Sequence, residues 1–479
     1  MHNLLKAGYF LSCIETEDTM YQINFEEPVH AHFIGIGGIS MSGLAEILLK
    51  EGFAISGSDY QESALTQHLA NLGAKIYYGQ KAENLQEEIP AFVVYTAAVK
   101  EDNPEYQEAI KQNLPLLSRA DLLGQLMANY PISTGIAGTH GKTTTTSMLS
   151  EILLDCGKNP TISVGGIMKR IHGNTYVGDS PYFITEACEY TNTFFSLYPT
   201  YGIILNIAED HMDFFKDIHD IRHSFRIYAE HIKPNGSLII NGAIPKLSYL
   251  TENLTCNVIT FGLSPEYDYY ATNIQYDNFG CPSYDLCIQG LPATRITLKV
   301  TGEHNILNSL AAAAAAQAME ISLDSIRTAL ASFEGTDRRF QKKGEVKGCT
   351  IIDDYAHHPD EIRATLTAAR NYPHNHIWCI FQPHTYSRTK AFLKDFAQAL
   401  SLADNIVLAD IYPARETDTL GISSLHIQEE LKALGKESYY FSTFEEIKKF
   451  ILENCINGDL LITMGAGDIV NVGESLLLQ

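Results

Sequence analysis

The stretch Gly138-Thr139-His140-Gly141-Lys142-Thr143-Thr144 decides the fold class, because a glycine loop stands here between a strand pattern and a helix pattern. Residues 132–137 predict a strand that runs into the loop, and residues 143–156 predict a helix that leaves it. A strand followed directly by such a loop and a helix is typical of a parallel α/β sheet. The sequence therefore predicts an α/β protein.

The same loop predicts a polyphosphate site. Its glycines allow backbone amides to wrap a phosphate, and the start of the helix adds partial positive charge. Lys142 would reach the β- and γ-phosphates of ATP, and the Thr143 hydroxyl would bind Mg²⁺. The ATP-binding residues predicted in the loop are Gly138, Thr139, Gly141, Lys142, Thr143 and Thr144. Ile136 stands where the strict phosphate-loop pattern has glycine, so a glycine-rich turn with an incidental lysine is the alternative.

Length and patterning predict three α/β units. The chain has 479 residues, about three domains at ~150 residues each, and strand and helix patterns alternate along three successive stretches. The predicted boundaries are an N-terminal extension at 1–28 and units at 29–130, 131–334 and 335–479. Residues 237–300 predict several short strands, and the alanine-rich run within residues 305–319 predicts a tightly packed helix.

Charge and cysteine content exclude several classes of function. The formal net charge is −23, which disfavours nucleic acid or an anionic membrane as a partner. Nine scattered cysteines without a C-x-x-C pair favour reduced thiols and a cytoplasmic location. Residues 4–14 lack a signal-peptide cleavage pattern, and no run of about 18 apolar residues predicts a membrane span. The sequence leaves the oligomeric state open, a homo-oligomer included.

A second glycine loop, Gly35-Ile36-Gly37-Gly38-Ile39-Ser40, follows the first predicted strand, and Asp59 ends the next one. This spacing is typical of dinucleotide binding, with the carboxylate at a ribose, although Ser40 replaces the third glycine. NAD is the default ligand of such a pattern, but the same amides can hold any diphosphate. A tight turn without a ligand is the structural alternative.

Polar residues follow several predicted strands of the later units. Glu186 ends one strand, and Asn206, Glu209, Asp210 and His211 follow another. Carboxyl ends of parallel strands converge on the ligand crevice, so these groups can meet a metal bound to ATP. A solvated acidic loop is the alternative.

In the last unit, the stretches at 353–359 and 381–388 place aspartates, histidines, a tyrosine and an arginine after strands. Such groups suit ribose and carboxylate binding and the orientation of an amine. A surface loop is the alternative for either stretch taken alone.

Four stretches, in this order, resemble the Mur ligase family: Gly138-Thr139-His140-Gly141-Lys142-Thr143-Thr144, Gly302-Glu303-His304-Asn305-Ile306-Leu307-Asn308, Gly335-Thr336-Asp337-Arg338-Arg339-Phe340 and Asp354-Tyr355-Ala356-His357-His358-Pro359. Residues 35–45 and Phe381-Gln382-Pro383-His384 resemble the branch that adds L-alanine to UDP-N-acetylmuramate in peptidoglycan synthesis. The resemblance runs from Val29 to the C-terminus, and the ordered set is more specific than any one motif.

The resemblance implies an N-terminal Rossmann-like domain for the UDP-sugar, a central ATPase domain with a mostly parallel sheet, and a C-terminal Rossmann-like domain for the amino acid. It also implies an ATP-dependent ligase with Mg²⁺ that works through an acyl phosphate. The implied catalytic residues are Lys142, His357 and Arg388. Asn305, Arg339 and Asp354 would join the loop in binding ATP, and Thr143, Glu186 and His211 would hold the metal. The implied UDP-sugar residues are Gly35, Gly37, Gly38, Ser40, Ser58 and Asp59.

The chain departs from many relatives at Cys188, Tyr190 and Thr385, where aspartate, serine and arginine are usual. Anchoring of the amino acid would therefore depend more on Arg388. Three alternatives remain at this point: a ligase that recycles a tripeptide onto the same UDP-sugar, a folylpolyglutamate synthase, and a nonenzymatic nucleotide-binding regulator. A folylpolyglutamate synthase lacks a UDP-binding unit such as residues 29–97. A nonenzymatic regulator would not require the polar and charged residues that are intact here, namely Lys142, Glu186, His211, Asn305, Arg339 and His357.

Overall fold

The structure is a computed structural model that describes residues 20–212, 214–414 and 416–478. Most of the predicted extension at 1–28, through residue 19, therefore lies outside the described residues, and Cys13 lies there too. The contacts divide the chain into two compact units. The first contains the described residues up to 37 together with 48–122, and the second contains 38–47 and 123–478.

The first unit is built on a five-stranded sheet of parallel strands. In spatial order, β3 and β2 lie on one side of β1, and β4 and β5 on the other. The strands are β1 (His30–Ile34), β2 (Ala54–Asp59), β3 (Lys75–Tyr78), β4 (Phe92–Tyr95) and β5 (Leu116–Ser118). The helices of this part of the chain are α1 (Ile39–Lys50), α2 (Ala64–Asn71), α3 (Pro104–Lys111) and α4 (Arg119–Ala128), with a 3₁₀ turn at Ala82–Leu85.

The described end of the N-terminal extension packs on this sheet. The ring of Tyr21 lies 5.4 Å from that of Phe92, and the ring of Phe25 lies 5.7 Å from that of Phe53. Aromatic pairs at such distances add to the burial of apolar area. Residues 20–28 are therefore part of the first unit's packing.

The second unit contains a ten-stranded sheet in the order β15-β14-β13-β12-β11-β10-β6-β9-β7-β8. Its middle is parallel, whereas β13, β14 and β15 pair antiparallel at one edge and β7 with β8 at the other. The strands are β6 (Ile132–Ala137), β7 (Thr161–Met168), β8 (Gly173–Tyr176), β9 (Tyr182–Glu186), β10 (Tyr201–Ile204), β11 (Ser237–Asn241), β12 (Asn257–Gly262), β13 (Tyr269–Tyr276), β14 (Pro282–Ile288) and β15 (Leu291–Thr297). The helices are α5 (Lys142–Asp155), α6 (Ile218–Glu230), α7 (Leu247–Thr251), α8 (Glu303–Ala318) and α9 (Leu323–Ser332), with 3₁₀ segments at Lys169–Ile171 and Tyr190–Ser196.

The core of this sheet places the glycine loop. Helices α5 and α8 pack together on the sheet, and the alanines of α8 from Ala311 to Ala316 are fully buried. Small side chains let two helices and a sheet approach closely. The alanine run is therefore a packed helix, as predicted, and α5 is held firmly behind the loop.

The same unit contains a six-stranded sheet in the order β16-β17-β21-β18-β19-β20, parallel except for β16. The strands are β16 (Gln341–Val346), β17 (Cys349–Asp354), β18 (Ile377–Phe381), β19 (Asn405–Leu408), β20 (Ser438–Tyr440) and β21 (Leu460–Met464). The helices are α10 (Pro359–Ala369), α11 (Tyr386–Ala391), α12 (Leu393–Leu400), α13 (Ser424–Ala433), α14 (Phe444–Asn454) and α15 (Val470–Leu477). Three largely parallel sheets confirm the predicted fold class.

In the part of the chain that the structure describes, no helix is both long enough and apolar enough to cross a bilayer.

Candidate active site

The loop between β6 and α5 requires glycine at two positions. Gly138 and Gly141 have positive φ angles of 148° and 88°. A side-chain carbon at Gly138 would lie 2.9 Å from the Leu205 side chain, and one at Gly141 would lie 2.5 Å from Asn308 Oδ1. Gly141 is the N-cap residue of α5, and no side chain caps the helix there. The amides of the first turn are therefore left to bind an anion.

Residues that follow β10 fix the shape of this loop. The backbone N–H of His140 donates to Asn206 Oδ1 at 2.8 Å, and Asn206 Nδ2 donates to the carbonyl of His140 at 2.9 Å. Ala208 donates its N–H to Thr139 Oγ1 at 2.9 Å. Since the loop is clamped by backbone and amide hydrogen bonds from a neighbouring strand, its amides are positioned before a ligand arrives.

Lys142 is held in a buried ion pair. Its Nζ donates to Glu189 Oε2 at 2.9 Å and to the carbonyls of Gly138 and Thr139 at 2.5 and 3.2 Å. Burial alone would lower the pKa of Lys142, but the Glu189 carboxylate outweighs it and the pKa lies above its ordinary value. The lysine therefore remains a cation at the mouth of the loop.

Beside the loop, a cavity of about 700 Å³ opens in the second unit. Five predicted ATP residues form part of its wall: Gly141, Thr144, Asn305, Arg339 and Asp354. Gly138, Thr139, Lys142 and Thr143 lie outside that wall. Phe279 and Tyr372 also line the cavity, and their rings lie 5.5 Å apart. The cavity combines a phosphate loop with aromatic side chains and has the volume of a nucleotide-sized site.

Internal hydrogen bonds occupy two of the predicted nucleotide contacts. Asn305 Nδ2 donates to the Thr301 carbonyl at 2.7 Å, and its Oδ1 accepts from Asn308 at 3.0 Å. The Asp354 carboxylate accepts from the N–H groups of Phe340 and Ala356 at 2.9 and 2.8 Å. Burial raises the pKa of Asp354 to about 6. Both residues therefore shape the cavity wall through their own contacts.

Arg339 and Glu361 form the positive and negative sides of the same wall. Arg339 Nη1 lies 3.8 Å from Glu361 Oε1, and its guanidinium lies 5.3 Å from the centre of the Tyr355 ring. Burial would raise the pKa of Glu361, but His357, His140 and Arg339 hold it well below the usual value. Glu361 is thus an ionised carboxylate that orients these groups.

The predicted metal ligands lie around the loop. A side-chain carbon built at Gly165 would lie 2.8 Å from Glu186 Oε2, and one at Gly166 would lie 2.9 Å from the Thr143 methyl, so Glu186 and Thr143 approach adjacent residues of β7. His211 interacts electrostatically with Lys142, and burial lowers the pKa of the His211 ring. A carboxylate, a hydroxyl and a neutral imidazole are donors that suit a divalent cation.

Another set of potential donors consists of His140, His358 and Asp360, whose ligand atoms lie within 4.8 Å of one another. His358 uses both ring nitrogens, because Nδ1 accepts from the Asp360 N–H at 3.2 Å and Nε2 donates to the Glu209 carbonyl at 3.0 Å. This set therefore serves contacts of the protein itself.

His357 and Arg388, predicted to orient the amino acid, come from the loop after β17 and from α11, respectively. The Nδ1–H of His357 donates to the Tyr355 carbonyl at 3.0 Å, which leaves Nε2 as an acceptor, and burial lowers the pKa of His357 to about 4. The His357 and His384 rings lie 5.6 Å apart. Arg388 Nη1 lies 3.3 Å from His384 Nδ1.

Arg388 also forms a buried ion pair with Asp210, at 3.0 Å from Nη2 to Oδ1. Burial would raise the pKa of Asp210, but Arg388 and His211 hold it well below the usual value. The Asp210 carboxylate thus contacts the guanidinium that would meet a substrate carboxylate. Thr385, whose φ is positive at 67°, stands just before α11, the helix that carries Arg388.

In the first unit, four of the residues predicted for the UDP-sugar lie at the ends of β1 and β2: Gly35, Gly37, Ser58 and Asp59. Gly37 donates its N–H to Asp59 Oδ2 at 2.8 Å, and Gly35, with φ 83°, donates to the Ser58 carbonyl at 2.9 Å. Ser58 Oγ donates to the buried Glu105 at 2.5 Å. Asp59 therefore binds the glycine loop itself.

Gly38 and Ser40 belong to the second unit in the division by contacts. The Gly38 carbonyl accepts from the Ser42 N–H at 2.8 Å within the first turn of α1, and Ser40 lies in the same turn.

Three residues of these sites were missed by the sequence reasoning: Glu361, Glu105 and the ring of Tyr190. Glu189 was predicted only as one of the carboxylates at a strand end that can meet a metal, and its pairing with Lys142 was missed. Tyr190 stacks on His211 with ring centres 4.4 Å apart. Glu189 belongs to the same Glu-Ala-Cys-Glu stretch as Glu186, which was a usable signal. Glu361 and Glu105 resemble ordinary first-turn helix acids, so their sequence positions gave no such signal.

A phosphate loop between β6 and α5, in a chain that has three largely parallel α/β sheets, defines a class of nucleotide-dependent enzyme, and the comparisons place the chain within it. Three family models match: "Mur ligase family, catalytic domain" at residues 30–131, "Mur ligase middle domain" at 136–316 and "Mur ligase, glutamate ligase domain" at 338–467. The chain belongs to the Mur ligase family.

Individual relatives are similar over nearly the whole length. Proteins named UDP-N-acetylmuramate–L-alanine ligase from Agathobacter rectalis and Lachnospira eligens are each 58% identical, covering 96% of this chain and 100% of theirs. The crystal structure of UDP-N-acetylmuramate-alanine ligase MurC from Thermotoga maritima matches with a TM-score of 0.78 at 30% identity, over 94% of this chain and 98% of that one. A murein peptide ligase from Psychrobacter arcticus shares the fold, with a TM-score of 0.69 at 24% identity over 94% and 98%.

Proposed function

We propose that this chain joins L-alanine to UDP-N-acetylmuramate, with conversion of ATP to ADP and phosphate, in peptidoglycan synthesis. The observation that carries the proposal is the buried Lys142 at a preformed phosphate loop, in a chain whose 58% identical relatives are named for this ligase. The proposal places the reaction in the cytoplasm, where it serves cell-wall synthesis, cell shape and division.

The chemistry explains why positioned cations are needed. A carboxylate oxygen of the sugar attacks the γ-phosphorus of ATP, the bond to ADP breaks, and an acyl phosphate forms. The amine of L-alanine then attacks the acyl carbon, loses a proton and displaces phosphate to leave an amide. Because two anions meet in the first step, and the protein carries a charge of −23, local cations must offset their repulsion.

The phosphate loop supplies that charge in the proposal. Amides of Gly138, Gly141, Thr143 and Thr144 would hold the phosphates, and Lys142 would exchange part of its contact with Glu189 for a phosphate oxygen. The Thr139 N–H already donates to the Asn206 carbonyl at 3.1 Å, so Thr139 would shape the loop instead. Arg339, on the cavity wall, would bind phosphate as well. Asn305 and Asp354 would shape the adenine and ribose ends of the cavity through the contacts already described.

Magnesium fits the donors around the loop. Thr143, Glu186 and His211 would hold the ion, and Tyr190 would keep the His211 ring in place by stacking on it. When bound, Mg²⁺ would neutralise phosphate charge and orient the triphosphate. Since Glu186 accepts the Gly165 N–H at 2.7 Å through Oε1, its Oε2 is the oxygen that the proposal assigns to the metal.

For the amino acid, we assign recognition of the carboxylate to Arg388 and contact with the amine to His357. The His357 ring is neutral at pH 7 because its pKa lies near 4, and its Nε2 lone pair faces away from the Tyr355 carbonyl. Such a group can accept a hydrogen bond from an amine. Binding of L-alanine would require Arg388 to share its guanidinium between Asp210 and the substrate.

For the UDP-sugar, the proposal assigns the diphosphate to the glycine loop that follows β1, with Gly35, Gly37, Gly38 and Ser40 near the phosphates and Ser58 and Asp59 at the edge of the site. Asp59 already accepts the Gly37 N–H, so its carboxylate would order the loop before the sugar nucleotide binds.

An ADP-release assay tests the function. The purified chain is given ATP, Mg²⁺ and UDP-N-acetylmuramate, and the amine is varied among L-alanine, glycine, L-serine and the tripeptide. We expect release to require the UDP-sugar and to be fastest with L-alanine, since one methyl group in a pocket contributes about 1–3 kcal/mol. A strong preference for the tripeptide would instead assign the recycling reaction, and release without the UDP-sugar would contradict both.

A further inference from the structure

Cys349 and Cys455 bring two thiols together at the end of the third sheet that is remote from the ATP cavity. Their sulfur atoms lie 2.8 Å apart, although 106 positions separate them in the sequence. This separation is shorter than an ordinary van der Waals contact of two sulfurs, and the two side chains face each other. Neither thiol belongs to the site described above.

The backbone on both sides already holds the two cysteines in place. Cys349 is the first residue of β17, and Cys455 follows α14 directly. The loops that carry them are joined by hydrogen bonds from the Gly458 N–H to the Gly348 carbonyl at 2.9 Å and from the Thr350 N–H to the Asp459 carbonyl at 3.0 Å. A bond between the sulfurs would therefore require little movement of the main chain.

The two thiols differ in accessibility. Cys349 is 2% exposed and packs in the apolar cluster with Ile351 and Trp378, whereas Cys455 is only half-buried. A small oxidant can reach Cys455 first, and Cys349 is then the nearest nucleophile. This is the arrangement of an attacking thiol and a resolving thiol.

We propose that Cys349 and Cys455 form a reversible intramolecular disulfide by exchange with a low-molecular-weight disulfide, which makes this pair a modification site separate from the ligase site. The Cys455 thiolate attacks one sulfur of the small disulfide, a mixed disulfide forms and the first small thiolate leaves and takes up a proton. Cys349 then loses its proton and attacks Cys455 Sγ, and the second small thiol leaves. Two protein thiols are oxidised, and one small disulfide is reduced to two thiols.

The hydrogen bond between the thiols affects the rate of this exchange. Hydrogen bonding to Cys349, together with burial, raises the pKa of Cys455 above its ordinary value, and the nearby Asp459 acts in the same direction. Because the thiolate is the attacking species, exchange is slow at neutral pH and accelerates as the pH rises.

The position of the pair determines the consequence of oxidation. β17 begins at Cys349 and ends at Asp354, which lines the cavity. The cross-link would therefore lie about 17 Å along the strand from the cavity wall. A bond there closes a long loop and restricts the unfolded chain without altering the site. Oxidation should therefore raise the melting temperature by roughly 5 °C or more and leave ligase turnover unchanged.

The test uses the full chain treated with glutathione disulfide at pH 8.5. Remaining thiols are alkylated, and the digest is analysed by mass spectrometry without reduction. We expect a cross-linked peptide that joins residues 349 and 455, with a higher melting temperature that dithiothreitol reverses. Cys156→Ala, which removes a half-buried thiol elsewhere, should behave as the unaltered chain does.

Cys455→Ala should give neither the cross-link nor the shift in melting temperature, and it changes a half-buried position that the fold tolerates more readily than the buried Cys349. The proposal is overturned if both cysteines are recovered alkylated after oxidation, if Cys455 carries only glutathione, or if the shift persists in Cys455→Ala. Loss of turnover on cross-linking would overturn the separation from the ligase site.

Discussion

Removal of the Lys142 side chain tests both the charge of the phosphate loop and the energetics of its buried ion pair. In Lys142→Ala the loop loses its positioned cation, and Glu189, whose side chain is 3% exposed, loses the partner at 2.9 Å. We expect turnover to fall by at least ~10²-fold, which corresponds to about 2.7 kcal/mol of transition-state stabilisation. Stability should also fall, by about 3–5 kcal/mol, because one buried charge is left unpaired.

The double variant Lys142→Ala/Glu189→Ala separates these two effects. It removes both charges, so most of the lost stability should return, while turnover should stay at least ~10²-fold low because the cation is still absent. Lys75→Ala is the matched control. It breaks an exposed pair with Glu87 at 2.8 Å and should change neither turnover nor melting temperature measurably.

The assays are ADP release with UDP-N-acetylmuramate and L-alanine, and thermal unfolding without nucleotide. Retention of UDP-sugar binding in each variant shows that the first unit is folded. Near-normal turnover in Lys142→Ala would refute the phosphate-loop assignment. An unchanged melting temperature in that variant would refute the energetic importance of the ion pair, and full recovery of turnover in the double variant would show that the lysine acts only as a structural partner.

Three other predictions concern the metal, the UDP-sugar and pH. Glu186→Ala and His211→Ala should each shift the Mg²⁺ titration of turnover to higher concentration, and an unchanged titration for both would remove them from the metal site. UDP-N-acetylmuramate should raise the melting temperature, by a stabilisation of about 2.7 kcal/mol at a hundredfold excess over Kd, whereas stabilisation by NAD alone would contradict the assignment of the first glycine loop. The pKa of His357 lies near 4 in the folded chain and at 6.5 in the unfolded one, so the unfolded chain binds the extra proton between these values, and stability is lost as the pH falls from 6.5 to 4. His357→Gln should remove up to about 3 kcal/mol of that loss in the free energy of unfolding. The control His68→Gln, at an exposed position, should leave the loss unchanged. Equal dependence of melting temperature on pH for the chain and for His357→Gln would contradict the burial argument.

Local chemistry explains why much of the fold was predictable. The strand at 132–137 falls where the sequence predicts it, and β9 ends at Glu186 as predicted, because short apolar runs bounded by glycine or polar residues carry their own signal. The edge strands β5, β8 and β16 and the inner strand β7 were not predicted. β16 contains Lys342, Lys343, Gly344 and Glu345, a composition that suits an exposed edge and lacks the apolar alternation of a strand.

For the candidate site, the sequence identified residue types but not their partners. Lys142 was predicted to meet phosphates, yet its contact with Glu189 depends on how the end of β9 lies beside the loop. Arg388 was predicted to meet a carboxylate, and the structure gives it the carboxylate of Asp210, 178 positions away. The first pairing follows from the order of β6 and β9 in one sheet, and the second from the packing of two different sheets in the second unit. No local pattern of the sequence records either.

By itself, the sequence determined the class of fold, the phosphate loop, the order of the family motifs and the residues that can carry charge or bind a metal. These depend on backbone freedom, side-chain chemistry and spacing over a few residues. The tertiary structure decided which charges are buried in pairs, which hydrogen bonds occupy Asn305 and Asp354, and that Cys349 lies against Cys455. The physical reason is that burial and contact between distant residues are set by packing of whole elements, and these in turn set pKa values and the accessibility of reactive groups.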